Sequence, residues 1–197
     1  MKRIRIGVDV DGVLYRWSDT ARWILHHAFG YNLGDSTSWH YLKSQVKPAH
    51  WDWLWRTGVE VYGLFRHGNL YPGSVEGMKE LSRLGDIVVI TMRPRNAMTD
   101  TLAWLSYHQL PVDELHVLDH GRKSSVQPHC DVYIDDSPDV YEDLTANTSG
   151  VVLLWDRPWN QDVPVRHKRP WEPGGTRVSS WDEVIEQVRL TAWERCL

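Results

Sequence analysis

The chain has 197 residues, of which 42% are hydrophobic and 24% are charged, an ordinary composition for a soluble globular protein with one full core. Its formal net charge of -4 argues against a nucleic-acid partner, which usually requires a basic stripe. Two cysteines give no disulfide framework, and no apolar run reaches the roughly 18 residues that a membrane span needs. We therefore expect a cytoplasmic protein without a membrane partner.

Five stretches rich in apolar residues predict the strands of a sheet: residues 3–9, with Ile4, Ile6 and Val8, then 86–91, 115–118, 131–135 and 150–155. Runs that are apolar throughout are typical of parallel strands buried on both faces. Apolar residues at helical spacing follow four of these runs: 73–84, 96–108, 138–146 and 180–194. This alternation of strand and helix predicts an α/β fold with a doubly wound, Rossmann-like parallel sheet.

Two segments interrupt the alternation. After the first strand, DTARWILHHAFG and KPAHWDWLWRTGVEVYGLFRHG are amphipathic helical patterns, and we predict a small helical cap of residues 15–72. The core then consists of residues 1–14 and 73–197. Residues 156–178 are rich in proline and contain two adjacent glycines, Gly174 and Gly175, and we predict a long loop there, a feature that is often functional in compact domains.

Two carboxylates, Asp9 and Asp11, stand one residue apart where the first strand ends, and Gly12 allows a sharp turn after them. In an open α/β sheet, ligands bind at the carboxyl ends of the strands. A cation between the two carboxylates would make the pair tolerable, and oxygen ligands suit Mg²⁺. Alone, the pattern also fits a solvated acidic turn or the metal site of a sugar-nucleotide transferase.

Other strand ends add the groups of a phosphate site. The second strand ends in Thr91, the segment GRKSS offers Lys123, and the fourth strand ends in Asp135 and Asp136. The lysine and the hydroxyl would neutralise phosphate oxygens, and a metal would bridge phosphate and carboxylates. One carboxylate would then remain free to attack phosphorus.

These motifs, in this order, resemble the haloacid dehalogenase (HAD) superfamily of phosphotransferases. Within it the chain resembles the 5'(3')-deoxyribonucleotidases, through the stretches DVDGVL, LYPGSVEGMKEL, VVITMRP, YIDDSPD and SSWDEVIEQV. The resemblance implies the HAD fold with a cap after the first strand, and magnesium-dependent hydrolysis of nucleoside monophosphates, in particular deoxyribonucleoside 5'(3')-monophosphates. It also implies a homodimer.

The resemblance further implies the roles of the acidic residues. Asp9 would be the nucleophile and form an aspartyl-phosphate. Asp11 would protonate the leaving oxygen and then deprotonate the water that breaks the intermediate. Mg²⁺ would be held by Asp9, the backbone carbonyl of Asp11, and Asp136, with Asp135 close behind.

The phosphoryl oxygens would be bound by Thr91 and Lys123. Met92 stands where related nucleotidases commonly have a serine, so a backbone N–H group would replace that hydroxyl in the phosphate shell. Arg93 follows, facing either the phosphate or solvent, and we include it among the candidate substrate contacts.

Half of the 12 tryptophans lie in or beside the predicted cap: Trp17, Trp23, Trp39, Trp51, Trp53 and Trp55. They either pack the cap or stack on a nucleobase, since an aromatic face stacks on any base. The stronger candidates for a base contact are Trp17 and Phe65. Trp51 and Trp55 are further candidates because they share a helix face, whereas Trp53 points away from it.

Three alternatives remain open. A polynucleotide end phosphatase also uses a D-x-D-G site, but it needs a basic track. A phosphatase of another small metabolite would leave the tryptophans as packing residues. A non-catalytic binding module is disfavoured by the intact set of acidic, threonine and lysine residues. The ten histidines show no metal-ligand spacing, so we expect no zinc site.

Overall fold

The computed structural model describes residues 3–119, 121–165 and 174–194. In these ranges six parallel strands form one sheet in the order β3-β2-β1-β4-β5-β6. The strands are β1 (Ile4–Val8), β2 (Gly85–Thr91), β3 (Glu114–Val117), β4 (Val132–Asp135), β5 (Val151–Trp155) and β6 (Gly175–Val178). The predicted doubly wound α/β fold is confirmed.

The described ranges contain seven α-helices: α1 (Trp17–Phe29), α2 (Tyr41–Gln45), α3 (Pro48–Trp53), α4 (Ser74–Leu84), α5 (Met98–Tyr107), α6 (Pro138–Asn147) and α7 (Trp181–Glu194). The last four coincide with the four predicted helices to within two residues at each end. Helix α3 continues into a turn of π-helix, Leu54–Gly58. None of the described helices is long and apolar enough to cross a membrane.

The prediction of a continuous loop at 156–178 is wrong at its end, where β6 forms. This strand pairs with β5, placing Gly175 beside Val152 and Val178 beside Trp155. The sequence GTRV lacks the apolar residues that mark the other strands. Its extended conformation therefore depends on pairing with β5 and not on the intrinsic strand propensity of these residues. Residues 166–173 of the predicted loop lie outside the described ranges.

Both faces of the sheet are buried along β2, β4 and β5, which explains the apolar runs in these strands. Successive residues of β2 show this directly. Ile87 and Val89 belong to the hydrophobic cluster that includes α4 and α7. Val88 and Ile90 belong to the cluster beneath α6 on the opposite face, because neighbouring side chains of a strand point to opposite sides.

Helices α1 to α3 lie between β1 and β2 in the chain and have a hydrophobic cluster of their own, which includes Ile24, Leu25 and Leu54. The chain enters and leaves this insertion through two adjacent segments, residues 14–16 and 69–71. Two backbone hydrogen bonds join them, from Arg16 N to Asn69 O at 2.9 Å and from Tyr71 N to Leu14 O at 2.8 Å. The division into a core and a cap of residues 15–72 stays a prediction.

The contact between α4 and α7 gives a test of the packing. A Cβ atom on Gly77 would lie 2.3 Å from the Trp181 ring, so Gly77→Ala must displace the indole. We expect a loss of about 1–3 kcal/mol in the free energy of unfolding, measured by urea denaturation. Lys79→Ala, on the exposed side of the same helix, should change stability by less than about 0.5 kcal/mol. A Gly77→Ala protein as stable as the parent would contradict this packing.

Candidate active site

The side chains predicted to be functional meet at the carboxyl edge of three neighbouring strands, β2, β1 and β4. Asp9 directly follows β1, Thr91 ends β2, and Asp135 ends β4 and is followed by Asp136. All four are buried, with no more than 8% of their surface exposed. The sheet order reverses direction on either side of β1, and this crevice is where open α/β sheets bind ligands.

Lys123 is the positive charge of this group. Its Nζ donates to Asp9 Oδ1 at 2.5 Å and to Asp135 Oδ2 at 2.7 Å. Burial acts to lower the pKa of Lys123, but the charges of Asp135 and Asp9 outweigh burial and raise it. The neighbouring Ser124 fixes the turn that carries the lysine, because its N–H and hydroxyl both donate to the Asp143 carboxylate, at 3.1 and 2.8 Å.

Three carboxylates converge beside the lysine. Asp9, Asp135 and Asp136 each offer one oxygen within 4.8 Å of the others. Burial raises the pKa of Asp9 despite the opposing charge of Lys123, and burial with the charges of Asp9 and Asp135 raises the pKa of Asp136. One ammonium group therefore faces three carboxylates, and this donor set fits a hard divalent cation that accepts oxygen ligands. The cluster is therefore a candidate metal site.

Gly12 makes the cluster possible. A Cβ atom there would lie 2.1 Å from Asp136 Oδ2, and its φ of +86° is in the left-handed region that favours glycine. The turn after β1 can therefore run directly against the carboxylate of Asp136.

Asp136 is also held by residues after β5 that no motif in the sequence indicates. Trp159 Nε1 donates to Asp136 Oδ2 at 2.8 Å, and Asn160 Nδ2 donates to the backbone carbonyl of Asp136 at 2.8 Å. Arg157 Nε donates to Gly12 O at 2.7 Å. These residues follow β5 immediately, and their position at the same sheet edge was the available indication.

Asp11 takes a different partner from the other carboxylates. Its two oxygens accept hydrogen bonds from Arg93, from Nε at 2.9 Å and from Nη2 at 2.8 Å. The Arg93 side chain is fully buried, whereas 26% of the Asp11 side chain is exposed. The predicted contact between Arg93 and substrate stays a prediction. The ion pair with Asp11 is a contact of Arg93 that the sequence does not indicate.

A cavity of about 300 Å³ lies over this edge. The predicted catalytic, metal and phosphate residues all line it, as do Arg93, Phe65 and four of the six tryptophans of the predicted cap, whereas Trp23 and Trp53 do not. Its aromatic walls come mainly from the insertion: Trp17, Trp39, Trp51, Trp55, Phe65, Tyr71 and Trp159. The rings of Trp17 and Trp55 stack at 5.7 Å, and Trp51 meets both edge-on at 6.1 Å. Trp53 instead packs against Phe29 and Tyr62, the division that helical spacing predicts.

Comparison with known proteins places this architecture in a family. The model of the family "5' nucleotidase, deoxy (Pyrimidine), cytosolic type C protein" matches residues 2–194. The chain belongs to this nucleotidase family. It is therefore a phosphoric monoester hydrolase that acts on nucleoside monophosphates and resembles the 5'(3')-deoxyribonucleotidases, as the motifs predict.

Individual relatives agree with this assignment. The nucleotidase is 31% identical to a "Putative 5'(3')-deoxyribonucleotidase" of Chlorobaculum tepidum, over 94% of this chain and 90% of the relative. It is 25% identical to a nucleotidase of Clostridium acetobutylicum, over 93% of each chain. Among solved structures, it matches a magnesium-bound "putative HAD-hydrolase" of Bacillus subtilis with a TM-score of 0.59 at 11% identity, over 96% of this chain and 100% of that one. The last match shows the HAD fold.

The carboxylate cluster predicts stabilisation by a divalent cation. A cation at a hundredfold excess over its dissociation constant stabilises the folded state by about 2.7 kcal/mol, so Mg²⁺ should raise the thermal unfolding midpoint. Asp136→Asn should abolish that shift because it removes one ligand. Asp139→Asn, an exposed acid on α6, should retain it. An unchanged shift in Asp136→Asn would exclude this cluster as the binding site.

Proposed function

We propose that this nucleotidase hydrolyses deoxyribonucleoside 5'(3')-monophosphates through an aspartyl-phosphate on Asp9, with Mg²⁺ as its metal. The supporting observation is the convergence of Asp9, Lys123 and the carboxylate cluster on the floor of a cavity with aromatic walls. A strand-end carboxylate that is held by a lysine and lies beside a metal site meets the requirements of a phosphoryl acceptor.

The reaction consists of two displacements at phosphorus. In the first, an Asp9 oxygen forms the bond to phosphorus, the ester P–O bond breaks, and Asp11 gives its proton to the departing nucleoside oxygen. In the second, water attacks phosphorus, Asp11 takes a proton from the water, and the Asp9–phosphorus bond breaks to release phosphate. Asp11 thus acts first as general acid and then as general base.

Lys123 and Thr91 bind the phosphoryl oxygens while their charge changes. The Thr91 hydroxyl oxygen accepts a hydrogen bond from Arg93 N at 3.3 Å, which leaves its own hydrogen available to the phosphate. The backbone N–H of Met92, which lies between these two residues and lines the cavity, is a further donor to the phosphate.

Asp9 and Asp136 would hold the metal with the backbone carbonyl of Asp11, and Asp135 lies close behind. When bound, Mg²⁺ neutralises the carboxylates and polarises the phosphoryl group. Trp159 keeps one Asp136 oxygen in place by its hydrogen bond. The magnesium-bound structural relative and the oxygen donor set both support this metal.

The stacked rings of Trp17 and Trp55, with Trp51 and Phe65 beside them, form the surface against which we place the nucleobase. Aromatic stacking does not require a particular base, so these rings would bind the nucleoside without selecting the base.

We also propose that the protein is cytoplasmic and forms a homodimer. Light scattering coupled to size-exclusion chromatography tests the homodimer.

The function is tested by phosphate release from a panel of ribo- and deoxyribonucleoside 5'- and 3'-monophosphates, with Mg²⁺ and with a chelator. We expect metal-dependent release, strongest with deoxyribonucleotides. Asp9→Asn should lose it, because the amide is a poor nucleophile, while keeping a folded protein by thermal unfolding. Release from simple phosphate esters alone would favour a phosphatase of another metabolite, and release from DNA ends would favour a polynucleotide end phosphatase.

The role of the aromatic walls is tested with Trp55→Ala. Stacking on a base contributes roughly 1–3 kcal/mol, so we expect KM for the preferred nucleotide to rise about tenfold or more. KM for glycerol phosphate, which has no base, should change little. Trp23→Ala is the matched control, because Trp23 is exposed on α1 and contacts His27. An equal rise in KM for both substrates would show that Trp55 packs the site and does not stack on the base.

A further inference from the structure

The ion pair between Arg93 and Asp11 has the geometry of a rigid clamp. Two nitrogens of one guanidinium group donate to the two oxygens of one carboxylate, at 2.9 and 2.8 Å. This bidentate arrangement fixes the plane of the carboxylate as well as its position. Each carboxylate oxygen retains a further lone pair, and the Asp11 side chain is 26% exposed where it lines the cavity.

The guanidinium group of Arg93 also makes hydrogen bonds and aromatic contacts besides its ion pair with Asp11. Its Nη1 donates to Phe65 O at 3.2 Å and to Thr101 Oγ1 at 3.1 Å. Four of the five guanidinium donors therefore have protein partners. The rings of Tyr15 and Phe65 lie 4.5 and 4.7 Å from the guanidinium carbon. To reach a phosphate, Arg93 would have to leave these partners and leave the Asp11 charge unpaired, an unfavourable exchange for a buried cation.

We infer that Arg93 is a positioning residue that orients the Asp11 carboxylate toward the oxygen of the departing nucleoside. The inference rests on the acid–base role of Asp11 in the proposed function. Arg93 leaves the outward lone pairs of Asp11 free to exchange a proton with substrate and water. It acts through Asp11 and makes no contact with the phosphate.

The same clamp connects the acid–base group to the insertion. Phe65 supplies both a carbonyl acceptor and a ring to Arg93, belongs to the hydrophobic cluster of α1 to α3, and lines the cavity. Thr101 supplies the second anchor from α5, and its hydroxyl donates in turn to Ala97 O at 2.9 Å. The orientation of Asp11 therefore depends on the insertion being seated correctly beside the phosphate site.

A double-mutant cycle tests the inference. We expect Arg93→Met to lower kcat for the preferred nucleotide about 10- to 100-fold, within the range of general acid–base catalysis, with KM changed less than about threefold. In an Asp11→Asn background, the same change should lower kcat by less than about twofold, because the two residues act as one unit. Arg93→Lys should restore little, since an ammonium group cannot form the two-point contact.

Substrate choice gives a second readout. An aryl phosphate such as 4-nitrophenyl phosphate has a leaving oxygen that needs no proton. Pre-steady-state release of nitrophenol should therefore be nearly normal in Arg93→Met, whereas release of the nucleoside should be slow. Arg95→Met, an exposed arginine two residues away, should leave kcat and KM unchanged for both substrates.

Two results would overturn the inference. A large rise in KM, with losses that multiply in the double variant, would assign Arg93 to the phosphate. Equal losses for both substrates and in both backgrounds would make it a purely structural residue. If Arg93→Met does not fold, Thr101→Val removes one anchor of the guanidinium and should give a smaller loss, again absent in Asp11→Asn. A parent enzyme that is active on glycerol phosphate but on no nucleotide would refute the nucleotide proposal alone, because the cycle can then be measured on glycerol phosphate, whose leaving oxygen also needs a proton.

Discussion

The site depends on the opposition between three buried carboxylates and one buried ammonium group. Lys123 is shared by Asp9 and Asp135, while Asp136 is left with neutral donors. Burying several like charges is unfavourable unless they are paired, so the fold retains an arrangement that favours cation binding. Parallel strand topology makes the arrangement possible, because it delivers the ends of β1, β2 and β4 to one edge.

In the proposed reaction, chemistry and recognition are assigned to different parts of the molecule. The sheet edge holds the groups proposed to act on phosphorus, whereas most of the aromatic walls belong to the segment between β1 and β2. Arg93 is the contact point of the two parts, since one end of its guanidinium holds Asp11 and the other holds the Phe65 carbonyl. The placement of Phe65 and the orientation of Asp11 are therefore linked through the hydrogen bonds of one side chain.

The features that the sequence predicts are those encoded locally. The first five strands are recognisable by their apolar residues, and Asp9, Thr91 and Asp136 by their positions at the ends of those strands. Lys123 is recognisable by its place in the order of the motifs. The sequence does not show β6, whose partner strand determines it, or the contacts of Trp159 with Asp136 and of Arg93 with Asp11. Arg93 and Asp11 are 82 positions apart, and no periodic pattern in the sequence indicates that these two charged residues form an ion pair.

The paired segments at 14–16 and 69–71 have an evolutionary consequence. Because the chain leaves the sheet and returns at neighbouring points, the strand order does not depend on what lies between them. Insertions whose two ends lie close together are the kind that folds tolerate. The segment between them can therefore be lengthened or replaced, and the aromatic walls changed with it, without altering the order of the strands that carry the acidic residues.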